Sequence, residues 1–74
     1  MSRLPVIKPR KLIKVLSRLG FEQTHRKGSH FFFKHPDGRT TVVPVRRGRE
    51  IGRGLLRKIL QDIKISPKEF KKLL

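Results

Sequence analysis

Residues 35 to 39, His-Pro-Asp-Gly-Arg, stand between an aromatic run, Phe31-Phe32-Phe33, and a β-branched run, Thr40-Thr41-Val42-Val43. Proline presets φ early in a turn, aspartate bonds back onto the turn backbone, and glycine takes the positive φ that reverses the chain. Pro-Asp-Gly between two such runs commits the middle of the chain to an antiparallel hairpin, with strands over Ser29 to Lys34 and over Thr40 to Pro44 or Val45. A third β-prone run, Phe21 to Thr24 or His25, precedes them, and Lys27-Gly28 supplies the turn between. Three antiparallel strands need a cover on one face, and the flanking segments must provide it.

Both flanks read as helices. From Lys8 to Gly20, Leu12, Ile13, Val15, Leu16 and Leu19 fall on one side, while Arg10, Lys11, Lys14 and Arg18 point away. Pro9 suits a first-turn position and Gly20 a left-handed C-terminal stop. From about Gly54 to Ile63, Leu55, Leu56, Ile59, Leu60 and Ile63 repeat at helical spacing. Ser66-Pro67-Lys68-Glu69 opens a third, short helix with Ser66 as N-cap and Glu69 completing a capping box, and Phe70, Leu73 and Leu74 can fold it back onto the core. Between sheet and second helix, Val45 to Gly54 is rich in arginine and glycine and reads as a mobile basic loop. The order is α-β-β-β-α plus a short terminal helix, an α+β arrangement.

A chain of 74 residues has apolar surface for one core, so residues 1–74 are read as a single domain with residues 1–6 loosely held. It contains no cysteine and three scattered histidines, which leaves no disulfide framework and a poor metal set, so no metal or other cofactor is expected. No window is apolar enough to span a membrane, and no signal peptide opens the sequence. A soluble cytosolic protein is expected. Twenty Lys and Arg against five Asp and Glu give a net charge of +15, which repels itself in a compact state and calls for an anionic partner. Nucleic acid is the first candidate, because neutralising phosphates releases condensed counterions; an acidic protein is the second. A membrane surface fits poorly, since the charge is not confined to one face of a long amphipathic helix.

Alternation along the middle strand puts Phe31 and Phe33 on one face and His30, Phe32 and Lys34 on the other. With the first pair assigned to the core, His30 stands on the open face; a bulge at Gly28 would change that register. Histidine titrates near neutrality, with an unperturbed pKa of about 6.5, so His30 is the candidate acid/base group. An exposed strand histidine is by itself unremarkable.

The helix, Gly20-Phe21, Gly28-Ser29-His30, His35-Pro36-Asp37-Gly38-Arg39, Val43-Pro44, Gly54-Leu55-Leu56 and Ser66-Pro67-Lys68-Glu69-Phe70 together resemble the HicA toxin family of bacterial toxin–antitoxin systems, over nearly the whole chain. The most specific parts are Gly-Ser-His at a fixed distance from His-Pro-Asp-Gly, and Val-Pro followed about ten residues on by Gly-x-Leu. The resemblance implies a fold like a double-stranded-RNA-binding domain, two helices on one face of the sheet. It also implies an mRNA-cleaving ribonuclease, an mRNA interferase that arrests translation and growth, neutralised by an acidic HicB-like antitoxin. In that family the histidine of Gly-Ser-His is catalytic, which points to His30 here. Where many relatives carry one or two histidines after Val-Pro, this chain has Val45-Arg46-Arg47, so a second acid/base group at that place is missing.

A metal-free ribonuclease removes the proton of the ribose 2′-hydroxyl, stabilises charge on phosphorus and protonates the leaving 5′-oxygen. His30 is the candidate base, and Arg26, Lys27, Lys34, Arg46 and Arg47 are the candidate phosphate clamps, Lys27 and Lys34 foremost because the strands should keep them near His30. Gly28 lets the backbone approach a phosphate or merely closes the turn; Ser29 donates to the phosphate or faces the core edge. Phe32 either stacks on an unpaired base or is covered by the arginine loop or a partner. His25 and His35 read as solvated histidines at a strand end and in a turn. Two rival readings stay open: a non-catalytic RNA-binding module with a structural His30, and a protein whose charge chiefly meets an acidic partner.

Overall fold

The computed structural model describes residues 4–74. Helix α1 (Pro9–Arg18) is followed by β1 (Glu22–Lys27), β2 (His30–Lys34), β3 (Thr40–Pro44), α2 (Arg53–Ile63) and α3 (Pro67–Lys72). The strands form an antiparallel sheet in the order β1-β2-β3. Among the described residues no helix is long and apolar enough to cross a membrane.

The helices cover one face of the sheet. Leu12 and Leu16 of α1, Leu56, Ile59, Leu60 and Ile63 of α2, and Phe70 of α3 bury against Phe33 and Val43. Phe21, placed by its spacing in the first strand, lies in this core just ahead of β1. Leu55, placed by its helical spacing on the apolar stripe, is 38% exposed near the start of α2. The expectation of a loose N-terminus falls, for residues 1–3, outside the described residues. Beyond them Leu4 is buried, its carbonyl accepts from Arg53 Nε at 2.7 Å, and Ile7 pairs with Ile51 through both backbone bonds. The N-terminal segment thereby stitches the start of α2 to the core.

At α3 the Ser66 hydroxyl accepts from the Glu69 amide at 3.1 Å, as an N-cap should. The reciprocal half of the capping box differs: Ser66 Oγ donates to the Glu69 carboxylate at 3.4 Å.

The hairpin turn does more than reverse the chain. His35 is expected in solvent, but its ring is half-buried: Nε2 bonds the Leu19 carbonyl at the end of α1 at 3.0 Å, and the ring packs edge-to-face with Phe21, centroids 5.0 Å apart and planes at 63°. Nδ1 accepts from the Asp37 amide at 3.1 Å, which leaves Nε2 as the donor to Leu19. Arg39 reaches the other way, donating Nη1 to the Ile63 carbonyl at the end of α2 and Nε to Asp37 at 2.8 Å. Thr41, next along, donates to Asp62 at 3.1 Å. One turn therefore ties together the C-terminal ends of both long helices, satisfying carbonyls that helix geometry leaves open.

Two predictions arise here. Gly20 has φ +97° and a Cβ added to it would stand 2.9 Å from His35 Nε2. Gly20→Ala should cost about 1–2 kcal/mol in backbone strain alone and also push His35 off Leu19, lowering the melting temperature by roughly 5–15 °C; thermal denaturation followed by circular dichroism measures it. The Arg39 amide, and then its side chain, hold the Asp37 carboxyl below the ordinary carboxylate value of 3.8. A depressed folded-state pKa stabilises the fold above the unfolded value and loses that contribution as pH falls through the folded one. An Asp37→Asn variant should accordingly show a flatter loss of stability than wild type on acidification below about pH 4, read by denaturant titration.

Candidate nucleic-acid interface

The open face of the sheet carries the candidate acid/base group. A two-residue turn, Gly28-Ser29, joins Lys27 to His30, and Gly28 alone in it has positive φ, +59°, the pattern of a type II′ hairpin turn. The turn is thus one residue later than Lys27-Gly28. The bulge is elsewhere too: the register slips between Gln23 and His25, not at Gly28. Phe33 is buried on the helix side, so His30, Phe32 and Lys34 face away from the helices.

His30 is exposed and stands opposite Lys27 on β1 and Pro44 on β3. It lines a hollow of about 330 Å³ whose other walls are Pro44, Arg46, Arg49, Glu50, Ile51 and Leu55. Arg46 therefore comes together with His30, as does Lys27 across the strands. Arg49, Glu50 and Leu55 join them without having been singled out from sequence as site residues; the Arg-Gly composition of the loop marked the cations but not which ones line the hollow beside His30.

Other expected clamps are placed elsewhere. Lys34 shares the face of His30 but sits four residues along β2, about 13 Å away at the usual strand rise. Arg26 lies on the opposite side, its guanidinium 4.9 Å from the Phe31 ring centre and its Nε donating to the Gly28 carbonyl at 2.9 Å. That contact leaves Phe31 half-buried. Arg26 and Arg47 line a separate basic groove of about 730 Å³, with Lys8, Arg10, Arg46 and Arg49. The Ser29 carbonyl accepts from Val45 at 2.7 Å, extending the β2–β3 ladder and pinning the start of the arginine loop beside His30.

His25 lies two residues before Lys27 in the unbroken part of β1, so alternation puts it on the open face, where it opposes Phe32; the slip at Thr24 shifts only the residues ahead of it. The His25 and Phe32 rings stack with centroids 4.1 Å apart and planes 8° from parallel. His25 is thus a member of the open face and not an isolated strand-end residue. Phe32 is half-buried and has this imidazole stacked on its ring.

Among the described residues no group of three or more His, Cys, Asp or Glu side chains gathers to hold a metal ion. The face is instead cationic, aromatic and imidazole-bearing, a surface suited to phosphates and unpaired bases.

A comparison with curated proteins returned no match. A family model described as HicA toxin of bacterial toxin–antitoxin matches residues 9–65, from the first residue of α1 to just beyond α2. That span takes in both long helices, the whole sheet, the Gly-Ser-His turn and the hairpin turn that ties the helix ends. With more than half of the chain so matched, the chain belongs to the HicA toxin family of bacterial toxin–antitoxin systems.

Proposed function

We propose that this chain is an endoribonuclease toxin that cleaves mRNA without a metal, with His30 as general base, and so arrests translation and growth. The observation that carries the reading is the position of His30, exposed on the open face with Lys27 opposite it and Arg46 and Arg49 across one hollow. RNA brings its own nucleophile. His30 takes the 2′-hydroxyl proton, the 2′-oxygen attacks phosphorus, the bond to the 5′-oxygen breaks as that oxygen takes up a proton and leaves as a 5′-hydroxyl, and a 2′,3′-cyclic phosphate remains. Guanidinium groups fork onto the non-bridging oxygens as charge builds there. Gly28 keeps the turn tight and free of side chain beside the scissile phosphate. Phe32 offers an aromatic edge for an unpaired base, and Arg26 and Arg47 continue the basic surface onto the neighbouring groove.

The net charge of +15 also fits an acidic HicB-like antitoxin covering this face in the resting complex. Purified protein is expected to cut single-stranded RNA in excess EDTA and to leave single-stranded DNA of the same sequence intact. Loss of cleavage in chelator, or equal cutting of DNA, contradicts the reading. Co-expression of an acidic HicB-like protein should restore growth.

A further inference from the structure

We infer that His25 is the general acid of this cleavage, the second imidazole that protonates the leaving 5′-oxygen. The inference rests on the ribonuclease reading and adds a group to it. Three observations carry it. His25 shares the open face with Lys27, which opposes His30, and because His25 opposes Phe32, two residues along β2 from His30, the two histidines are diagonal neighbours, about 7–8 Å apart between backbones. In-line displacement puts the attacking and leaving oxygens on opposite sides of phosphorus, so its base and acid must stand apart with room for a phosphate between them. Diagonal neighbours on a sheet face meet that requirement.

The imidazole is also oriented. Thr24 Oγ1 stands 3.1 Å from His25 Nδ1 and 3.4 Å from the Phe32 carbonyl, so Nδ1 is engaged in a hydrogen bond and Nε2 is the nitrogen left to exchange a proton with substrate. The stack on Phe32 holds the ring plane. An imidazole fixed by a hydrogen bond on one nitrogen and working through the other is the arrangement acid/base catalysis uses. His25 does for this chain what histidines after Val43-Pro44 would do in other members.

The proton balance closes with both imidazoles. Neutral His30 takes the 2′-hydroxyl proton as the bond from the 2′-oxygen to phosphorus forms. The bond from phosphorus to the 5′-oxygen breaks, and protonated His25 gives its Nε2 proton to that oxygen, yielding a 5′-hydroxyl end. His30 ends protonated and His25 neutral, and exchange with water resets both.

The test uses the full chain on two single-stranded oligoribonucleotides, one natural and one with sulfur in place of the bridging 5′-oxygen. A thiolate leaves without a proton near neutrality, since thiols ionise with pKa about 8.5. His25→Ala and His25→Phe should each cut the natural RNA about 10²-fold or more slowly and cut the sulfur-bridged RNA within a few-fold of wild type. His30→Ala should fail on both. His25→Phe keeps a ring against Phe32, so wild-type cleavage by that variant would mean that His25 only stacks, and the inference falls. Equal loss on both substrates by the His25 variants would mean a structural role, and it falls again. If wild-type protein cuts neither substrate, the ribonuclease reading itself fails and takes the inference with it.

Discussion

His30→Ala is expected to keep RNA affinity near that of wild type while cleavage falls by about 10²- to 10⁴-fold, the span that a positioned general base contributes, and growth arrest on expression disappears. Affinity should survive because it is spread over many cations and driven by counterion release, and His30 is a small part of that surface. The substitution should also spare the fold: the side chain is exposed on the face away from the helices. Filter binding and gel-resolved cleavage at matched salt separate the two effects. A parallel loss of binding and cleavage would move His30 into the binding surface, and unchanged cleavage would remove it from the chemistry. The second outcome is the one a non-catalytic RNA-binding module predicts.

Phe70→Ala should have the largest effect on stability. Phe70 is fully buried in the core shared by α1, α2 and the sheet, and truncating such a ring costs about 3–5 kcal/mol. A chain of 74 residues has in all on the order of 4–11 kcal/mol, so the variant should be marginally folded or unfolded. Its melting temperature, if a transition remains, should drop by roughly 15–30 °C. The substitution also probes whether residues 1–74 behave as one unit, since Phe70 lies beyond residue 65, where the family match ends. One cooperative transition at lower temperature is expected; α3 melting alone, with the remaining core at its wild-type midpoint, would show the terminal helix to be an appendage.

Much of this fold was legible because its signals are local. Pro-Asp-Gly fixed one hairpin, and the spacing of Leu12, Leu16, Leu56, Leu60 and Ile63 fixed which sides of the long helices are buried. The features that escaped depend on distant partners or on a missing constraint. The task of His35 is set by the Leu19 carbonyl, sixteen residues earlier, which turn chemistry alone does not reveal. The slip at Thr24 was hidden because every residue of β1 is exposed. Register is pinned where one face of a strand is buried, and here neither is. Around His30 the strand neighbour Lys27 could be read from pairing, whereas Arg49, Glu50 and Leu55 arrive through the fold of a loop whose composition gives no register. Lys34 failed as a neighbour for a simpler reason: sharing a face is not sharing a site when four residues of extended chain lie between.

The most direct test of the central claim is end-group analysis of RNA cut by wild-type protein in EDTA, set beside His30→Ala. Wild type is predicted to leave 2′,3′-cyclic phosphate and 5′-hydroxyl ends, the signature of attack by the RNA's own 2′-oxygen, and His30→Ala to leave the RNA intact. Ends carrying 3′-hydroxyl and 5′-phosphate, or the same cyclic ends at the same rate from His30→Ala, would contradict it.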